Sequence, residues 1–297
     1  MSKIYVIGSV NIDYTIYVDK FPRVGETLLG KNKVSALGGK GVNQALAATK
    51  AGGDVTFLCF VGKDDCGSQI KKYIKQYKIK AFVKTVEYPS GNAFIFVDND
   101  GNNEIVVASC ANFVNDIKIL ESYKKAIEHS KYIVLQNEIH PDMNEYIIRT
   151  FGKTHKIVWN PAPAKRINEE LYSYIYMATP NEGELKVLTG KENLDEGIQY
   201  LLDKGVQNVI VTLGSKGCIF VSKNETIRQD TFKVNAIDTV AAGDTFLGCL
   251  VASLSNGKEM KDALRFACAG AALSTTKVGA APSIPSLDEI NKLLGKN

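Results

Sequence analysis

The residues best suited to chemistry lie at the start of an apolar helical run near the C-terminus. Three small residues, Ala241-Ala242-Gly243, precede Asp244, and the run continues as TFLGCLVASL. Small residues before a helix leave consecutive backbone N–H groups open, and the helix dipole strengthens their attraction for an anion. A carboxylate beside such an anion hole suggests a base that activates a hydroxyl while the amides hold a transferring phosphoryl group. A helix cap is the simpler alternative for Asp244, but a cap does not need the three small residues.

A second candidate is the glycine-rich segment Gly38-Gly39-Lys40, which leads into a helical run at 42–51. Two glycines before a helix allow the backbone to approach a ligand closely. Lys40 and Asn43 then offer donors to hydroxyl groups or to phosphate. A plain glycine-rich turn explains the segment almost as well, so this motif alone does not decide the function.

Several common catalytic motifs are missing from the sequence. It contains no G-x-x-x-x-G-K-[ST] phosphate loop, no G-x-G-x-x-G after the first predicted strand, and no H-E-x-x-H. The three histidines, at 129, 140 and 155, have no spacing typical of a metal site or a catalytic triad. These absences argue against a P-loop nucleotide hydrolase, a dinucleotide-dependent oxidoreductase and a zinc protease.

The composition is that of an ordinary globular protein. Of 297 residues, 45% are hydrophobic and 23% are charged, and the net charge of +4 is too small to indicate nucleic-acid or membrane binding. The N-terminus is apolar only briefly, so we expect no signal peptide. Six scattered cysteines without a C-x-x-C pair predict a reducing compartment, and therefore a cytoplasmic location.

Short apolar runs alternate with amphipathic helical runs along the chain. Because the apolar runs are nearly continuous, they predict parallel strands that are buried on both faces. Their alternation with helices predicts an α/β fold with a doubly wound, mostly parallel sheet flanked by helices. The predicted strands are 4–8, 55–61, 132–136, 157–160, 175–178 and 209–213, and the predicted helices are 42–51, 67–77, 116–129, 142–151, 181–188 and 194–204.

Two segments depart from this alternation. Residues 13–35 alternate polar and apolar side chains around a turn, and residues 91–108 form two β-rich runs around Asn99-Asp100-Gly101-Asn102, a strong hairpin signal. Together they predict a small antiparallel β-sheet that serves as a lid over a cleft. We therefore predict a single α/β domain over residues 1–297 with a β lid built from about 13–35 and 91–108.

The two glycine-containing motifs resemble the paired signatures of the ribokinase-like (PfkB) family of sugar and nucleoside kinases. The resemblance extends, in the expected order, across nearly the whole chain, and such a collinear set is far more specific than any single motif. The further matching segments are Gly8-Ser-Val-Asn-Ile-Asp13, Phe21-Pro-x-x-Gly-Glu-Thr27, Asn160-Pro-Ala-Pro-Ala164, Thr179-Pro-Asn-Glu182, Thr212-Leu-Gly-Ser-Lys-Gly217 and Gly279-Ala-Ala-Pro-Ser-Ile-Pro285.

The resemblance implies ATP-dependent phosphorylation of the 5-hydroxyl of D-ribose, with Mg²⁺ as cofactor. It gives Asp244 the role of catalytic base and gives the backbone N–H groups of Ala241, Ala242 and Gly243 the role of anion hole. The implied sugar-binding residues are Asn11, Asp13, Gly39, Lys40, Asn43, Glu138 and Asp244. The implied nucleotide-binding residues are Asn181, Glu184, Thr212, Gly214, Gly217, Ala242, Gly243 and Cys268. Within that set, Asn181 and Glu184 are expected to organise Mg²⁺ and phosphate through water, although Asn181 is equally suited to cap a helix.

The resemblance also implies a site for an activating K⁺ ion beside the anion hole, built mostly from backbone carbonyl groups. It further implies a homodimer that forms through the β lid, since an exposed sheet edge is otherwise a liability. The implied K⁺-site residues are Asp238, Val240, Ser274, Lys277, Gly279 and Ser283.

Three positions depart from the family pattern. Cys268 replaces a histidine that is expected near the adenine, while Lys277 replaces an arginine and Ser274 an alanine in the cation loop. Two alternatives remain open. A related kinase could act on deoxyribose, fructose or adenosine, although Asn11, Asp13 and Glu138 together favour ribose. A non-catalytic sugar- or nucleotide-binding protein would have no need of Asp244.

Overall fold

A computed structural model describes residues 3–295. Its thirteen strands are β1 (Ile4–Ile7), β2 (Asn11–Tyr17), β3 (Asn32–Gly38), β4 (Val55–Val61), β5 (Ala81–Thr85), β6 (Gly91–Val97), β7 (Asn103–Ala108), β8 (Tyr132–Gln136), β9 (Lys156–Asn160), β10 (Ile175–Ala178), β11 (Asn208–Thr212), β12 (Cys218–Ser222) and β13 (Thr226–Gln229). The nine α-helices within the same range are α1 (Lys40–Lys50), α2 (Asp65–Gln76), α3 (Ile117–Ile127), α4 (Pro141–Phe151), α5 (Glu182–Thr189), α6 (Leu194–Asp203), α7 (Ala242–Ser255), α8 (Met260–Ser274) and α9 (Leu287–Leu293).

The main sheet contains nine strands in the order β13-β12-β11-β10-β9-β8-β1-β4-β5. Its strands β1, β4, β5, β8, β9, β10 and β11 pair in parallel, and only β12 and β13 join in antiparallel fashion at one edge. Every residue of β1, β4 and β8 is buried, and a separate apolar cluster covers each face of the sheet. The predicted doubly wound α/β fold is confirmed.

The strand order reverses at β1, which lies between β4 and β8. After β1 the chain passes through β2 and β3 to α1, which packs in one apolar cluster, whereas β8 leads to α4, which packs in the other. The two connections thus lie on opposite faces of the sheet, and a crevice opens at the carboxyl ends of β1 and β8. In open α/β sheets this switch point is where ligands bind. The loops that follow β1 and β8 contain Ser9 and Glu138, and these two side chains are hydrogen-bonded to each other.

A second, smaller sheet has the strand order β3-β2-β6-β7. The pairs β2–β3 and β6–β7 are antiparallel, as predicted for each hairpin, whereas the inner strands β2 and β6 run parallel, with Asp13 opposite Ala93. This inner pairing joins segments about eighty residues apart, so no local turn signal could have indicated it. The hairpin turn at 98–101 includes Gly101 with φ of +82°, as the Asn-Asp-Gly signal predicts.

Helix α7 carries the first candidate motif and is buried along almost its whole length against α1 and α8. Gly248 permits this packing, because a Cβ at that position would lie 2.5 Å from the Cβ of Ala47 and 2.7 Å from the backbone oxygen of Gln44. The close approach brings the first turn of α7 beside α1. Asp244 thereby comes within hydrogen-bonding distance of Asn43 and Gln44.

Between residues 3 and 295, none of the helices is both long enough and apolar enough to cross a bilayer.

Candidate active site

A cleft opens at the carboxyl ends of β9, β10 and β11, between the N-terminal ends of α1 and α7. Most of the residues that line it come from the motifs singled out in the sequence, although these motifs are widely separated along the chain. The lining residues are Lys40, Asn160, Ala162, Thr179, Asn181, Glu184, Thr212, Thr239, Ala241, Ala242, Gly243, Asp244 and Phe246.

Asp244 is buried in the first turn of α7, with only 6% of its surface exposed. The Asn43 side chain donates from Nδ2 to Oδ2 of Asp244 at 3.1 Å, and the Gln44 side chain donates from Nε2 to Oδ1 at 2.9 Å. Each carboxylate oxygen therefore has one amide donor and keeps further acceptor capacity. Asp244 does not cap its own helix, because the N-cap position belongs to Ala241 and carries no side-chain cap.

The backbone at the start of α7 exposes amide groups to the cleft. Ala241 has φ of +59°, a left-handed conformation that an L-residue with a side chain rarely adopts. The Ala242 amide donates to the Thr239 carbonyl at 3.2 Å, whereas the amides of Gly243 and Asp244 have no acceptor among residues 3–295. Free amides at a helix N-terminus are suited to bind an anion. Here the free amides of the helical turn begin at Gly243.

Asn11 and Asp13 lie on strand β2 of the smaller sheet with one residue between them, so both side chains are on the same face of that sheet. The Asp13 carboxylate packs against Gly38, and its Oδ1 is buried without a hydrogen-bond partner in the described part of the chain. Burial, together with the nearby Glu138 carboxylate, raises the pKa of Asp13 from 3.8 to about 7. When this buried carboxyl group is ionised, hydrogen-bond donors from a ligand would stabilise it.

Asn11 is oriented by Asn112, a buried residue that the sequence analysis did not identify. Asn112 mimics a paired strand: its Oδ1 accepts from the Val10 amide at 2.9 Å, and its Nδ2 donates to the Val10 carbonyl at 3.1 Å. The same Nδ2 donates to Oδ1 of Asn11 at 2.8 Å. Because this contact occupies the acceptor end of the Asn11 amide, the Nδ2 donor end is left for a ligand.

Glu138 fixes the junction between the end of β1 and the start of α1. Its Oε2 accepts hydrogen bonds from the Ser9 hydroxyl and from the Lys40 amide, the latter at 2.9 Å. Gly39 is the N-cap of α1 with φ of +101°. The Lys40 side chain lies among three carboxylates, and its pKa is raised by Asp244 most strongly and also by Glu138 and Glu184.

Asn43 donates to Asp244, but its own Oδ1 is buried and, within the described residues, has no partner. The Asp13 Oδ1 atom is in the same condition. An unpaired buried acceptor costs about 1–3 kcal/mol, so a ligand that supplies hydroxyl donors at both atoms would relieve that cost. Hydroxyl-rich ligands fit these acceptors better than apolar ones.

Asn181 and Glu184 form a reciprocal capping box at the start of α5. The Glu184 amide donates to Oδ1 of Asn181, and the Asn181 amide donates to Oε2 of Glu184, both at 2.8 Å. The structural role considered for Asn181 is therefore present. Both residues also line the cleft, and burial raises the pKa of the Glu184 carboxyl.

Thr212 also lines the cleft and joins Asn181 through a parallel backbone bridge, which brings two of the predicted nucleotide residues side by side. The turn after Thr212 contains Gly214 with φ of +57° and Gly217 with φ of +90°. Gly217 packs so closely on Gln229 that a Cβ would lie 2.0 Å from the Gln229 carbonyl oxygen. Both glycines shape the loop beside the cleft.

Cys268 does not reach the cleft in the described structure. It is 3% exposed on α8, and its Sγ lies 3.8 Å from the Sγ of Cys218 on β12. The side chain contributes to the core beneath the sheet edge. Nothing in this placement assigns it a contact with a nucleotide.

The predicted cation-site residues converge on two adjacent loops. Asp238 links these loops, since its Oδ1 accepts from the Val240 amide at 2.9 Å and its Oδ2 from the Gly279 amide at 2.8 Å. Both Ser274 and Ser283 are fully buried, and each hydroxyl donates to the carbonyl three residues earlier at 2.8 Å. The Lys277 ammonium points away to Glu289, at 2.7 Å.

The pfkB family carbohydrate kinases match this chain over residues 1–287. The chain belongs to this family. It is 39% identical to the ribokinase of Haemophilus influenzae over 297 residues, which covers 97% of each protein. The crystal structure of ribokinase from Thermotoga maritima superposes with a TM-score of 0.93 at 36% identity over the full length of both chains. The structure of Arabidopsis thaliana ribokinase complexed with ribose and ATP has a TM-score of 0.90 at 28% identity, and the match covers 100% of this chain and 99% of that one.

Membership of the pfkB family establishes the chain as a sugar kinase, a phosphotransferase. Several polar residues in or beside the candidate site of this kinase received no role from the sequence. Four of them are buried, namely Ser9, Gln44, Asn112 and Gln136, and the fifth, Asn160, is half-buried. The one available signal was an uncharged polar side chain at the end of an apolar run, as at Gln136 and Asn160. Such residues are common in turns, so the signal is weak without the fold.

Proposed function

We propose that this kinase transfers the γ-phosphoryl group of ATP to the 5-hydroxyl of D-ribose. The observation that carries the proposal is the geometry at Asp244. Two side-chain amides hold its carboxylate at the mouth of a helix whose free backbone amides begin at the adjacent residue, Gly243. A base and an anion hole side by side are the two elements that transfer of a phosphoryl group to a hydroxyl requires.

The sugar lies between the lid and α1. Asp13 and Asn43 supply unpaired buried acceptors for sugar hydroxyls, and Asn11 supplies an amide donor. Glu138, together with Gly39 and Lys40, closes the same end of the site. A sugar that lacks one of these hydroxyls leaves a buried acceptor unpaired, so the arrangement favours ribose over 2-deoxyribose.

In the reaction, Asp244 accepts the proton of the ribose 5-hydroxyl as that oxygen attacks the γ-phosphorus atom. The new bond forms between the sugar oxygen and phosphorus, and the bond from the γ-phosphorus to the bridging oxygen breaks to release ADP. Of the predicted anion hole, the Ala242 amide is engaged by Thr239, so the free backbone amides of Gly243 and Asp244 stabilise the charge on the transferring group. Preorganised donors of this kind are often the largest catalytic contribution. Lys40 adds a positive charge beside the same group.

We assign the nucleotide to the side of the cleft formed by Asn181, Thr212 and the loop that contains Gly214 and Gly217. The capping box already uses the side-chain oxygen of Asn181 and one oxygen of Glu184. These residues would therefore hold Mg²⁺ through water molecules and not by direct coordination. Glu184 keeps a second oxygen beside the cleft for a water of the hydrated ion. When bound, Mg²⁺ would neutralise phosphate charge.

We further assign K⁺ activation to the loops joined by Asp238. Neighbouring backbone carbonyls, together with the remaining lone pairs of Asp238, fit a monovalent cation better than a divalent metal that requires several carboxylates. Among residues 3–295, no group of three or more histidine, cysteine, aspartate or glutamate side chains is placed to hold a metal ion. Because Val240 immediately precedes Ala241, ordering of this loop would order the anion hole.

The lid also supports the proposal of a homodimer. Val34, Ile105 and Val107 lie on the same face of the lid sheet as Asp13, and they are 47%, 53% and 48% exposed. A second lid packed on this face would cover them and would close the sugar end of the site.

We also propose a cytoplasmic location, because the six scattered cysteines are typical of a protein in a reducing compartment.

The test measures conversion of ATP to ADP with D-ribose, 2-deoxyribose, fructose and adenosine in parallel, with Mg²⁺ present and with K⁺ either added or omitted. We expect the highest kcat/KM with D-ribose and stimulation by K⁺. A higher kcat/KM with another substrate would overturn the sugar-pocket assignment while leaving the role of Asp244 intact. Absence of turnover with all four would favour a binding protein or a substrate outside this set.

A further inference from the structure

A chain of buried amide side chains leads from the main sheet to Asp244. Gln44 on α1 is 1% exposed, and Gln136 at the end of β8 is fully buried. Gln44 donates from Nε2 to both Asp244 Oδ1, at 2.9 Å, and Asn160 Oδ1, at 3.1 Å. Its Oε1 accepts from Gln136 Nε2 at 2.8 Å. Every hydrogen-bonding atom of the Gln44 side chain is thus engaged.

The direction of this chain is fixed by a backbone carbonyl. The Thr179 carbonyl accepts from Asn160 Nδ2 at 3.0 Å and can act only as an acceptor. Asn160 must therefore present Oδ1 to Gln44, and Gln44 must present its NH₂ group. A neutral amide held in this orientation can meet Asp244 only as a donor. The sheet thereby dictates that the Asp244 carboxylate faces an N–H group.

We propose that Gln44 is a positioning residue that holds the Asp244 carboxylate in its reactive orientation. The inference rests on the proposed function of Asp244 as the base. Gln44 is not among the residues that line the cleft, so it acts through Asp244 and not on the substrate.

Gln44 and its neighbour Asn43 both donate to Asp244, but they differ in whether the rest of the side chain is paired. Asn43 also donates to Asp244, but its unpaired Oδ1 leaves it free to respond to the sugar. Both Nε2 and Oε1 of Gln44 are paired with protein groups, so its donor to Asp244 is held in place by the fold. Hydrogen bonds to a charged group in a buried network are among the stronger ones in proteins. The amide therefore restricts rotation of the carboxylate throughout the catalytic cycle.

The test is Gln44→Met, which keeps the length of the side chain and removes both the donor and the acceptor. We expect kcat to fall by about 10- to 100-fold, as loss of one hydrogen bond to a charged group implies, with the Kd for D-ribose within about twofold. The buried control is Gln136→Met, which disturbs the same network without touching Asp244. It should lose clearly less kcat. Gln76→Met, on the exposed end of α2, serves as the surface control.

Thermal midpoints of all variants separate positioning from general destabilisation. If kcat for Gln44→Met matches kcat for Gln136→Met, or if Gln44→Met weakens ribose binding as much as it lowers kcat, the proposal is wrong. Should Gln44→Met fail to fold, Gln44→Glu preserves the shape but places a carboxylate against Asp244. Its kcat must then fall by at least tenfold, and unaltered turnover would overturn the inference. Lack of ribose kinase activity in the wild type would instead overturn the proposed function.

Discussion

Two aspartates from other elements contact the ends of the glycine-rich segment 38–43, Asp13 at Gly38 and Asp244 at Asn43, and they differ in their surroundings. Asp244, on helix α7, accepts a hydrogen bond from a side-chain amide at each carboxylate oxygen. Asp13, on lid strand β2, has a buried oxygen that no donor reaches in the described structure, and its pKa is raised to about 7 by burial and by Glu138. The protein thus supplies hydrogen-bond donors to both oxygens of Asp244, whereas the buried oxygen of Asp13 is available to a donor from a ligand.

The difference between the two carboxylates suits Asp244 to the reaction and Asp13 to binding of the sugar. A carboxylate held by fixed amides is preorganised, so little reorganisation is needed when the proton is transferred. A carboxylate without donors raises the free energy of the unliganded site, and sugar hydroxyls can remove that cost. We therefore propose that helix α7 carries the chemistry and that the smaller sheet carries selectivity for the sugar.

The largest expected effect comes from Asp244→Asn. An amide is a poor proton acceptor, and a general base contributes about 10²–10⁴-fold to such reactions, so kcat should fall by about that factor. The Kd of D-ribose should change little, because other groups bind most of the sugar. The measurements are steady-state turnover and calorimetric titration with ribose. Asp262→Asn, an exposed aspartate in the first turn of α8, is the matched control. Near-normal turnover in Asp244→Asn would contradict the assignment.

Asp13→Asn should affect binding more than turnover. The variant loses charged acceptors for sugar hydroxyls, so the Kd for D-ribose should rise by about 10- to 100-fold, while kcat at saturating ribose falls much less. Titration calorimetry without nucleotide gives the Kd. Asp100→Asn, at the exposed hairpin tip of the same sheet, should bind ribose like the wild type. An unaltered Kd in Asp13→Asn would show that Asp13 does not contact the sugar.

A smaller effect is expected from pH. With a pKa of about 7, Asp13 is largely protonated at pH 6 and ionised at pH 8. Since the ionised form accepts hydroxyl donors, the affinity for ribose should rise by up to about tenfold between these values. Asp13→Asn should remove most of this dependence. A wild-type affinity that stays constant, or falls, as the pH rises would contradict the assignment.

A further effect of the same carboxyl group concerns stability without ligand. Because the pKa of Asp13 is raised above its unfolded value of 3.8, the folded state binds more protons between about pH 4 and 7. The contribution of Asp13 to the free energy of unfolding is therefore largest at low pH and is lost as the pH rises through about 7. Denaturant unfolding of the wild type and of Asp13→Asn across this range should show the variant gaining relative stability with pH. A constant difference would count against the raised pKa.

The fold of the main sheet was largely predictable from the sequence. Continuous apolar runs such as 55–61 and 132–136 coincide with strands β4 and β8, because a strand buried on both faces admits few polar residues. The parallel pairing of β2 with β6 was not predictable. It depends on tertiary packing of two hairpins, and no local residue pattern encodes it.

The candidate site was predictable where a motif places several groups along the backbone, as at 241–244. It was not predictable where a single side chain acts at a distance. Gln44, Asn112 and Asn160 belong to buried networks whose partners are 100 to 200 residues away. For Cys268 the family resemblance implied a place near the adenine, because a histidine is expected at that position. In the structure its side chain lies against Cys218 in the core.

In the proposed mechanism Asp244 takes part in the reaction and Asp13 binds the sugar. Initial rates over a wide range of D-ribose concentrations, at saturating ATP and pH 8, test it directly when Asp244→Asn and Asp13→Asn are compared. We predict that Asp13→Asn recovers most of the wild-type rate at high ribose, whereas Asp244→Asn stays at least about 100-fold slower at every concentration. If high ribose restores Asp244→Asn, or if both variants lose kcat equally, the division of roles between the two carboxylates is wrong.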